Sequence, residues 1–427
     1  MSGTRIEPAK LLELQENLVR SHALAIGDPL GERESALVLL LRAHALAQGY
    51  SGCTPALVAH LTRLFNRRRI PVVTDGGSVG ASGDLAPLAV LASAVMGEGR
   101  FYGARPKPYR FREKEALSMI NGTQLIAALL GAALVEARVL IDTADVVGAM
   151  SLEALHGSRR PFDAGVMRAK PHRGMETVGR RFRRLLAGSA IMTSHKSCGR
   201  VQDAYSIRCI PQVHGSVRDA FDFATDITLR EINAATDNPL VLGDGSIVSA
   251  GNFHGQSVAH AADTLGSALT TLGNISERRI ERLTNPDLSE LPAFLAPEGG
   301  LNSGFMALQV AAAALAAENR VLAYPASVTT IPTSASKEDH VSMGPTAARH
   351  ARKIAANVSR ILAMEAICAA QALEFLRPLR PGRGVARAQA VVRRRVRPLG
   401  RDRDLTPDVA GATRLVREGG LRQPARQ

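Results

Sequence analysis

The residues best suited to unusual chemistry lie in one glycine-rich segment, Thr74-Asp-Gly-Gly-Ser-Val-Gly-Ala-Ser-Gly-Asp-Leu-Ala-Pro-Leu88. Four glycines fall within eight residues of this segment, and an apolar run follows them. One interpretation is a tight turn in which Ser82 or Asp84 caps a helix, and another is a phosphate-binding loop. The glycine spacing of a dinucleotide site and the lysine of a Walker motif are both missing from the segment, which argues against a nucleotide loop.

The string from Gly77 to Leu88 resembles the aromatic amino acid ammonia-lyases, in which Ala-Ser-Gly cyclises to 4-methylideneimidazol-5-one. The resemblance implies that the backbone nitrogen of Gly83 attacks the carbonyl carbon of Ala81, and glycine suits this step because it tolerates a strained backbone. Loss of water from the ring, and of the Ser82 hydroxyl as a second water, leaves an exocyclic methylene carbon. This carbon is an electrophile that no ordinary side chain supplies, so neither a metal nor an external cofactor is expected.

A second match is Asn121-Gly-Thr-Gln124, which is similar to the family's Asn-Gly-Thr motif. The resemblance implies that Asn121 forms hydrogen bonds near the prosthetic ring and the substrate amine. By residue type alone, Asn121 could instead be the N-cap of a helix, a position that asparagine favours. The two roles are compatible, and the sequence leaves both open.

A third match is the segment Val201-Gln-Asp-Ala-Tyr-Ser-Ile-Arg-Cys-Ile-Pro-Gln212. Tyr205 and Arg208 are three residues apart, so on a helix they share a face. The resemblance implies that Arg208 binds the substrate carboxylate with two hydrogen bonds, that Tyr205 contacts the reacting centre and that Gln202 orients the substrate. Without the motif, an arginine here would be interpreted as half of a surface ion pair.

Three further stretches extend the resemblance over nearly the whole chain. Gly251-Asn-Phe-His254 is similar to a family turn in which Phe253 lines the pocket, although a phenylalanine taken alone is normally a core residue. Thr236-Asp-Asn-Pro-Leu240 and Gly300-Leu-Asn-Ser-Gly-Phe-Met306 also match. We interpret these two as structural or interface elements without a chemical role.

Two places bear on the choice of substrate. Ser21-His22 resembles the selectivity pair of the histidine-specific members, and an imidazole needs polar partners in its pocket. Glu338, within Ser336-Lys-Glu-Asp-His-Val-Ser-Met343, could accept a hydrogen bond from the substrate imidazole. The family usually has glutamine where Lys337 stands, and this lysine could neutralise or tilt Glu338.

The resemblance therefore implies conversion of L-histidine to trans-urocanate and ammonia, the first step of histidine degradation. A tyrosine or phenylalanine ammonia-lyase, or an aminomutase, would use the same prosthetic group and is the first alternative. The second is a catalytically impaired homologue that serves as an oligomer subunit.

The resemblance also indicates a missing catalytic base. The family carries this base on a Tyr-Gly loop upstream of the segment that begins here at Thr4, and this sequence has no tyrosine before Tyr50. We therefore expect an N-terminally truncated chain, and loss of a general base typically lowers the rate by about 10²–10⁴-fold.

The composition indicates a globular protein with a core built from small and aliphatic residues. Of 427 residues, 45% are hydrophobic but only 4% are aromatic, and tryptophan is absent. The net charge is +14, yet the densest basic stretch, from Arg377 to Arg403, has no interleaved aromatic residues, which argues against nucleic acid as a partner. The cysteines form no CxxC pair, so neither a disulfide framework nor a zinc site is expected; they are Cys53, Cys198, Cys209 and Cys368.

Nothing in the sequence suggests a membrane protein. The N-terminus has no apolar signal region, and the longest strongly apolar run, Leu125 to Val135, is too short to cross a bilayer. A cytoplasmic location is the expectation.

Helices must position most of these residues. One apolar stripe runs at spacings of four and three through Val258, Ala262, Leu265, Leu269 and Leu272, which indicates a long helix that ends in the charged run from Glu277 to Arg282. Residues 304–322 are Ala-rich and favour a helix by propensity. A further helix is predicted from Ile354, Val358, Ile361 and Cys368, and Pro325, Pro378 and Pro381 should stop these helices.

Strand signals are weak and short, at Ile70 to Thr74 and Pro239 to Leu242. The predicted fold is mainly α, a bundle of long helices, and the resemblance assigns it to the aspartase/fumarase-like ammonia-lyase superfamily. The expected regions are a small N-terminal part with the Ala-Ser-Gly loop (1–120), a central helical bundle (121–376) and an Arg- and Pro-rich C-terminal segment (377–427). The resemblance also implies a homotetramer whose active sites draw residues from three chains.

Overall fold

The computed structural model describes residues 6–196, 199 and 201–422. Thr4, at which the segment shared with the family begins, and Cys198 lie outside the described residues. The chain divides into two compact units. The first comprises the described residues up to Ala133 together with Ala224–Asp263 and Pro325–Arg352, and the second comprises Leu134–Phe223, Thr264–Tyr324 and the described residues from Lys353 onward.

The described residues are mainly α-helical, as predicted. In chain order the helices are α1 (Leu11–His22), α2 (Glu32–Ala47), α3 (Pro55–Asn66), α4 (Leu85–Met96), α5 (Glu115–Ile120), α6 (Gln124–Ala154), α7 (Ala164–Ala169), α8 (Arg173–Leu185), α9 (Ala190–Ser194), α10 (Tyr205–Arg208), α11 (Ile210–Ile232), α12 (Gln256–Thr284), α13 (Pro286–Ser289), α14 (Met306–Leu322), α15 (Gly344–Phe375), α16 (Arg383–Arg393) and α17 (Thr406–Arg417). Four of the five unit boundaries fall within helices, in α6, α11, α12 and α15, and the fifth falls between Tyr324 and Pro325, after α14.

Two short antiparallel sheets belong to the first unit. In one, β1 (Ile70–Pro71) pairs with β2 (Phe101–Tyr102), and Ile70 lies opposite Tyr102. In the other, β3 (Leu240–Val241) pairs with β4 (Ile247–Val248), and Leu240 lies opposite Val248. Both strand predictions are confirmed, although each strand has only two residues.

The predicted apolar stripes are confirmed as core positions. Each residue of the α12 stripe is at most 1% exposed, and α12 continues through the charged run to Thr284. The stripe of α15 is completely buried from Ile354 to Cys368. Helix α14 ends at Leu322 and α15 at Phe375, each shortly before a proline that was expected to stop it.

Helix α6 is longer than its apolar run suggested. The run from Leu125 to Val135 forms only the first third of this helix, which has 31 residues in total. The expectation that the segment is too short to cross a bilayer was therefore wrong, because the helix that contains it is long enough. By length and composition α6 could span a membrane, but 67% of its most apolar window is buried inside the structure. Burial on most of its surface accounts for its high hydropathy, as in the core helix of a globular protein.

The Arg-rich C-terminal segment contains two helices that the sequence analysis did not identify. In α16 the buried residues Val385, Ala388 and Val392 are spaced three and four apart, so one face packs while the arginines occupy the other. In α17 the residues Ala412, Leu415 and Val416 are buried in the same way.

Candidate active site

The Ala81-Ser82-Gly83 tripeptide lies in the loop that leads into α4. Ala81 and Gly83 are buried and Ser82 is half-buried. Gly83 has a φ of +72°, and a Cβ added to it would lie 2.3 Å from the carbonyl oxygen of Gly122. Only glycine fits at this position, because any other residue would suffer both the left-handed backbone strain and a clash with backbone.

The tripeptide is joined directly to the Asn121-Gly122-Thr123 motif. Gly83 and Gly122 form a parallel β-bridge, and the backbone N–H of Asp84 donates to the Gly122 carbonyl at 2.7 Å. The structure therefore brings together two of the segments that resemble the family, although Gly83 and Gly122 are nearly forty residues apart in the sequence.

The cap of α6 comes from Asp84. Its carboxyl oxygen Oδ2 accepts hydrogen bonds from the backbone N–H groups of Leu125 and Ile126 at 2.9 and 3.0 Å, and Ser78 Oγ donates to Oδ1 at 3.3 Å. Burial raises the pKa of Asp84 to about 7, and these three hydrogen bonds oppose the increase. Asp84 is also the N-cap residue of α4 by position, but its side chain forms no hydrogen bond with that helix.

Asn121 is the C-cap of α5 rather than an N-cap. Its side-chain oxygen Oδ1 is buried and has no hydrogen-bond partner among the residues that the structure describes. A buried acceptor left unpaired is costly unless a ligand or water satisfies it. The N-cap interpretation of Asn121 was therefore wrong, and its amide oxygen remains available to accept a hydrogen bond from a ligand.

Glu338 contacts the tripeptide. The Ser82 hydroxyl donates to Oε1 of Glu338, while Thr333 Oγ1 and Ser334 Oγ each donate to Oε2 at 2.7 Å. Burial opposes ionisation, but these hydrogen bonds and the nearby His22 together hold the pKa of Glu338 below its ordinary value. Glu338 is therefore a carboxylate at neutral pH, with its charge directed at Ser82.

His22 ends α1 and is half-buried. Its ring nitrogen Nδ1 lies 2.9 Å from the Leu18 carbonyl oxygen and 2.9 Å from Ser21 Oγ. Since a carbonyl oxygen can only accept, Nδ1 carries the proton in the neutral ring and Nε2 is left as the acceptor. His22 and Glu338 thus place an acceptor nitrogen and a carboxylate in the same unit as Ser82.

The turn that contains Phe253 lies beside the Glu338 segment. Phe253 is half-buried just before α12. The next residue, His254, stacks on His340 with ring centroids 5.7 Å apart, and its Nε2 lies 3.3 Å from the His340 carbonyl oxygen. The stacking brings the turn from Gly251 to His254 against the segment that contains Glu338.

The remaining expected site residues belong to the second unit. Tyr205 and Arg208 lie on the one-turn helix α10 and share a face as predicted, because the Arg208 guanidinium carbon lies 4.6 Å from the centre of the Tyr205 ring. Tyr205 is 70% exposed, and Gln202 is exposed in the loop before it. Arg208 Nε is buried and has no hydrogen-bond partner in the described part of the chain, so this guanidinium retains capacity to bind an anion.

Arg42 contacts the Asn121 motif from α2, and no sequence motif indicated it. Its Nη1 donates to the Asn121 carbonyl at 3.1 Å and to Gln124 Oε1 at 2.7 Å. The available signal was a single arginine within the apolar stretch from Leu39 to Leu46. Sequence analysis also missed Glu231, whose carboxylate accepts a 2.5 Å hydrogen bond from Thr123 and whose pKa is raised by burial.

A sequence profile for the family described as aromatic amino acid lyase matches residues 1–394. The chain is 48% identical over 453 residues to a histidine ammonia-lyase of Koribacter versatilis (strain Ellin345), and the match covers 100% of this chain and 88% of that protein.

Two solved structures have a similar fold. A histidine ammonia-lyase from Trypanosoma cruzi matches with a TM-score of 0.91 and 42% identity, covering 98% of this chain and 83% of that one. A tyrosine aminomutase from Streptomyces globisporus matches with a TM-score of 0.92 and 34% identity, covering 99% of this chain and 86% of that one.

Proposed function

This chain belongs to the aromatic amino acid lyase family, and we propose that it is a carbon–nitrogen lyase that converts L-histidine to trans-urocanate and ammonia. The observation that carries the proposal is the hydrogen bond from Ser82 to Glu338. It joins the residue expected to become the electrophile to the carboxylate expected to recognise imidazole. The similarity to proteins named histidine ammonia-lyase supports the same substrate.

The residues around the tripeptide fit a 4-methylideneimidazol-5-one formed from Ala81, Ser82 and Gly83. Gly83 has the backbone conformation and the close approach to Gly122 that only glycine allows. Asn121, the residue before Gly122, has a buried amide oxygen with no hydrogen-bond partner among the described residues. The group would supply an electrophilic carbon for the substrate's amino group. The residues that would hold it are Asn121 on one side and the Gly122 backbone on another.

Glu338 and His22 would recognise the imidazole. At neutral pH Glu338 is a carboxylate that can accept a hydrogen bond from an imidazole N–H. Formation of the prosthetic group removes the Ser82 hydroxyl, so Oε1 of Glu338 loses its partner and becomes free for the substrate. His22 Nε2 offers a second polar contact, and Phe253 would provide an apolar wall of the pocket.

Arg208 would bind the substrate carboxylate through its planar guanidinium, which can donate two parallel hydrogen bonds. Tyr205 lies under the guanidinium, so it would both orient Arg208 and contact the reacting centre, while Gln202 would orient the substrate. We propose that these residues act in active sites shared between the chains of a homotetramer.

An exposed apolar face on α14 supports assembly. The exposed side chains include Val310 at 59% and Val321 at 76%, and the exposed positions between them are Ala311, Ala314, Ala317, Glu318 and Arg320. By helical spacing Val310, Ala314, Ala317 and Val321 share one face, and exposed apolar surface marks interaction sites in folded proteins. A second copy of the chain is the partner that a homotetramer would provide.

A second candidate function uses the same prosthetic group on tyrosine or phenylalanine, and the similarity to a tyrosine aminomutase favours it. Incubating the purified chain separately with L-histidine, L-tyrosine and L-phenylalanine distinguishes the candidates. Histidine should give the absorbance of urocanate, with S82A as the inactive control. Cinnamate-type products or β-amino acids without urocanate would refute histidine as the substrate, and a formed prosthetic group without any turnover would favour an impaired oligomer subunit.

A further inference from the structure

Arg42 is a fully buried arginine with an unusual set of partners. It is 0% exposed and lies on α2 among buried aliphatic residues. Among the described residues it forms three hydrogen bonds, all from the single nitrogen Nη1, and the acceptors are the Asn121 carbonyl (3.1 Å), Gln124 Oε1 (2.7 Å) and the Thr236 carbonyl (3.3 Å). Every one of these acceptors lies in or against the motif that contacts the tripeptide.

The charge of Arg42 is only weakly paired. In the part of the chain that the structure describes, the carboxylate paired with Arg42 is Asp237, 4.0 Å from Nη2, and this carboxylate lies closer to Lys114 Nζ, at 2.9 Å. Arg42 Nε and Nη2 have no hydrogen-bond partner among the residues described. Burying a cation with incomplete pairing is unfavourable, so what this arginine contributes is its set of hydrogen bonds to the Asn121 motif and to Thr236.

Gly122 is in contact with Arg42 and with Gly83 at the same time. A Cβ built on Gly122 would lie 2.2 Å from Arg42 Nη1, and a Cβ built on Gly83 would lie 2.3 Å from the Gly122 carbonyl oxygen. The guanidinium thus fixes the Asn121–Gly122 peptide, and that peptide sets the position of Gly83.

We propose that Arg42 is a positioning residue for formation of the prosthetic group, because it holds the Asn121–Gly122 peptide as a rigid support for Gly83 while the tripeptide closes. The inference rests on the proposed function. In the closure a bond forms between the Gly83 nitrogen and the Ala81 carbonyl carbon. The Ala81 oxygen leaves as water with the amide protons of Gly83 and Ser82, and the Ser82 hydroxyl leaves as water with the Ser82 α-proton. No oxidant or reductant is required.

The test follows the mass of newly made chains. Wild type, R42Q and R42K are produced by cell-free synthesis, and intact-protein mass spectrometry measures over time the fraction that has lost two waters. We expect R42Q to slow this loss by about tenfold or more, as for removal of a charged hydrogen-bond donor from buried acceptors. R42K should be intermediate, because an ammonium keeps the charge but cannot reproduce the planar geometry.

R218K is the matched control, because Arg218 is another buried arginine, in the second unit, and binds Asp142 and Asp145. It should lose two waters at the wild-type rate.

Circular dichroism establishes that each variant is folded. If R42Q does not fold, Q124M replaces it, because this substitution removes the 2.7 Å acceptor of Arg42. The inference is overturned if folded R42Q or Q124M loses two waters as fast as wild type. It is also overturned if R218K loses them as slowly as R42Q does. A wild-type chain that never loses two waters refutes the proposed function itself.

Discussion

The carboxyl group of Asp84 accepts a hydrogen bond from the backbone N–H of Leu125 at 2.9 Å, so the residue that follows the tripeptide caps the helix that follows the Asn121 motif. This contact and the bridge between Gly83 and Gly122 fix the two segments against each other.

The first prediction concerns stability and pH. Burial raises the pKa of Asp84 to about 7, against opposing hydrogen bonds, whereas the carboxyl of an unfolded chain ionises near pH 3.9. Between about pH 4 and pH 7 the folded chain therefore binds more protons than the unfolded chain, and its free energy of unfolding falls as the pH rises. Asp84 alone should account for a decrease of up to about 4 kcal/mol.

D84N should lack this contribution, since an amide imitates the protonated carboxyl and does not titrate. Urea unfolding of wild type and D84N at pH 5 and pH 8 measures it. The stability of wild type relative to D84N should decrease between the two pH values, and an unchanged difference would show that Asp84 is ionised throughout. Burial also raises the pKa of Glu153 to about 7. Because Glu153 is present in both proteins, its contribution cancels in the difference between their free energies of unfolding.

The second prediction concerns Glu338. E338Q keeps the size of the side chain but loses the charge, so kcat/KM for histidine should fall by roughly 10–100-fold, the range for a charged hydrogen bond. K337Q is the matched control from the adjacent, exposed position. It should change kcat/KM by less than about fivefold, because exposed charges interact weakly. A larger effect of K337Q than of E338Q would remove Glu338 from substrate recognition.

The third prediction concerns Arg208. R208K keeps the positive charge but loses the planar pair of donors, so KM for the amino acid should rise by roughly 10–100-fold, the loss of one charged hydrogen bond. R230K is the control, because Arg230 is an exposed arginine that pairs with Asp226 on α11. Steady-state kinetics should show an unchanged KM for R230K. An unchanged KM for R208K would mean that another group binds the carboxylate.

The fourth prediction concerns Gly83. G83A should prevent closure of the tripeptide, because the new Cβ would lie 2.3 Å from the Gly122 oxygen. G49A is the matched control, since Gly49 also has a positive φ, +85°, but nothing lies within 4 Å of an added Cβ. Both variants incur similar backbone strain of about 1–2 kcal/mol, yet only G83A should keep its full encoded mass in intact-protein mass spectrometry. Complete water loss in G83A would contradict this close approach of Gly83 to Gly122.

Sequence patterns predicted the features that depend on local spacing. The stripe of α12 and the shared face of Tyr205 and Arg208 follow from helical periodicity, and both are confirmed. Helices α16 and α17 were missed because their many arginines mask a narrow apolar face. In the same way, charged residues within α6 hid the length of that helix.

The contacts that assemble the site could not be derived from spacing. Arg42 and Asn121 are 79 residues apart, and Ser82 and Glu338 are 256 apart, so no local period relates them. Motif resemblance indicated which segments matter, but not that Asp84 would replace Asn121 as the cap of α6. That outcome depends on which polar group lies nearest the first N–H groups of the helix once the chain has folded.

Intact-protein mass spectrometry of the folded, unmodified wild-type chain tests the central claim most directly. If Ala81, Ser82 and Gly83 form the prosthetic group, the chain is lighter than its encoded sequence by two water molecules, and S82A does not show this loss. A folded wild-type chain with its full encoded mass would contradict the account.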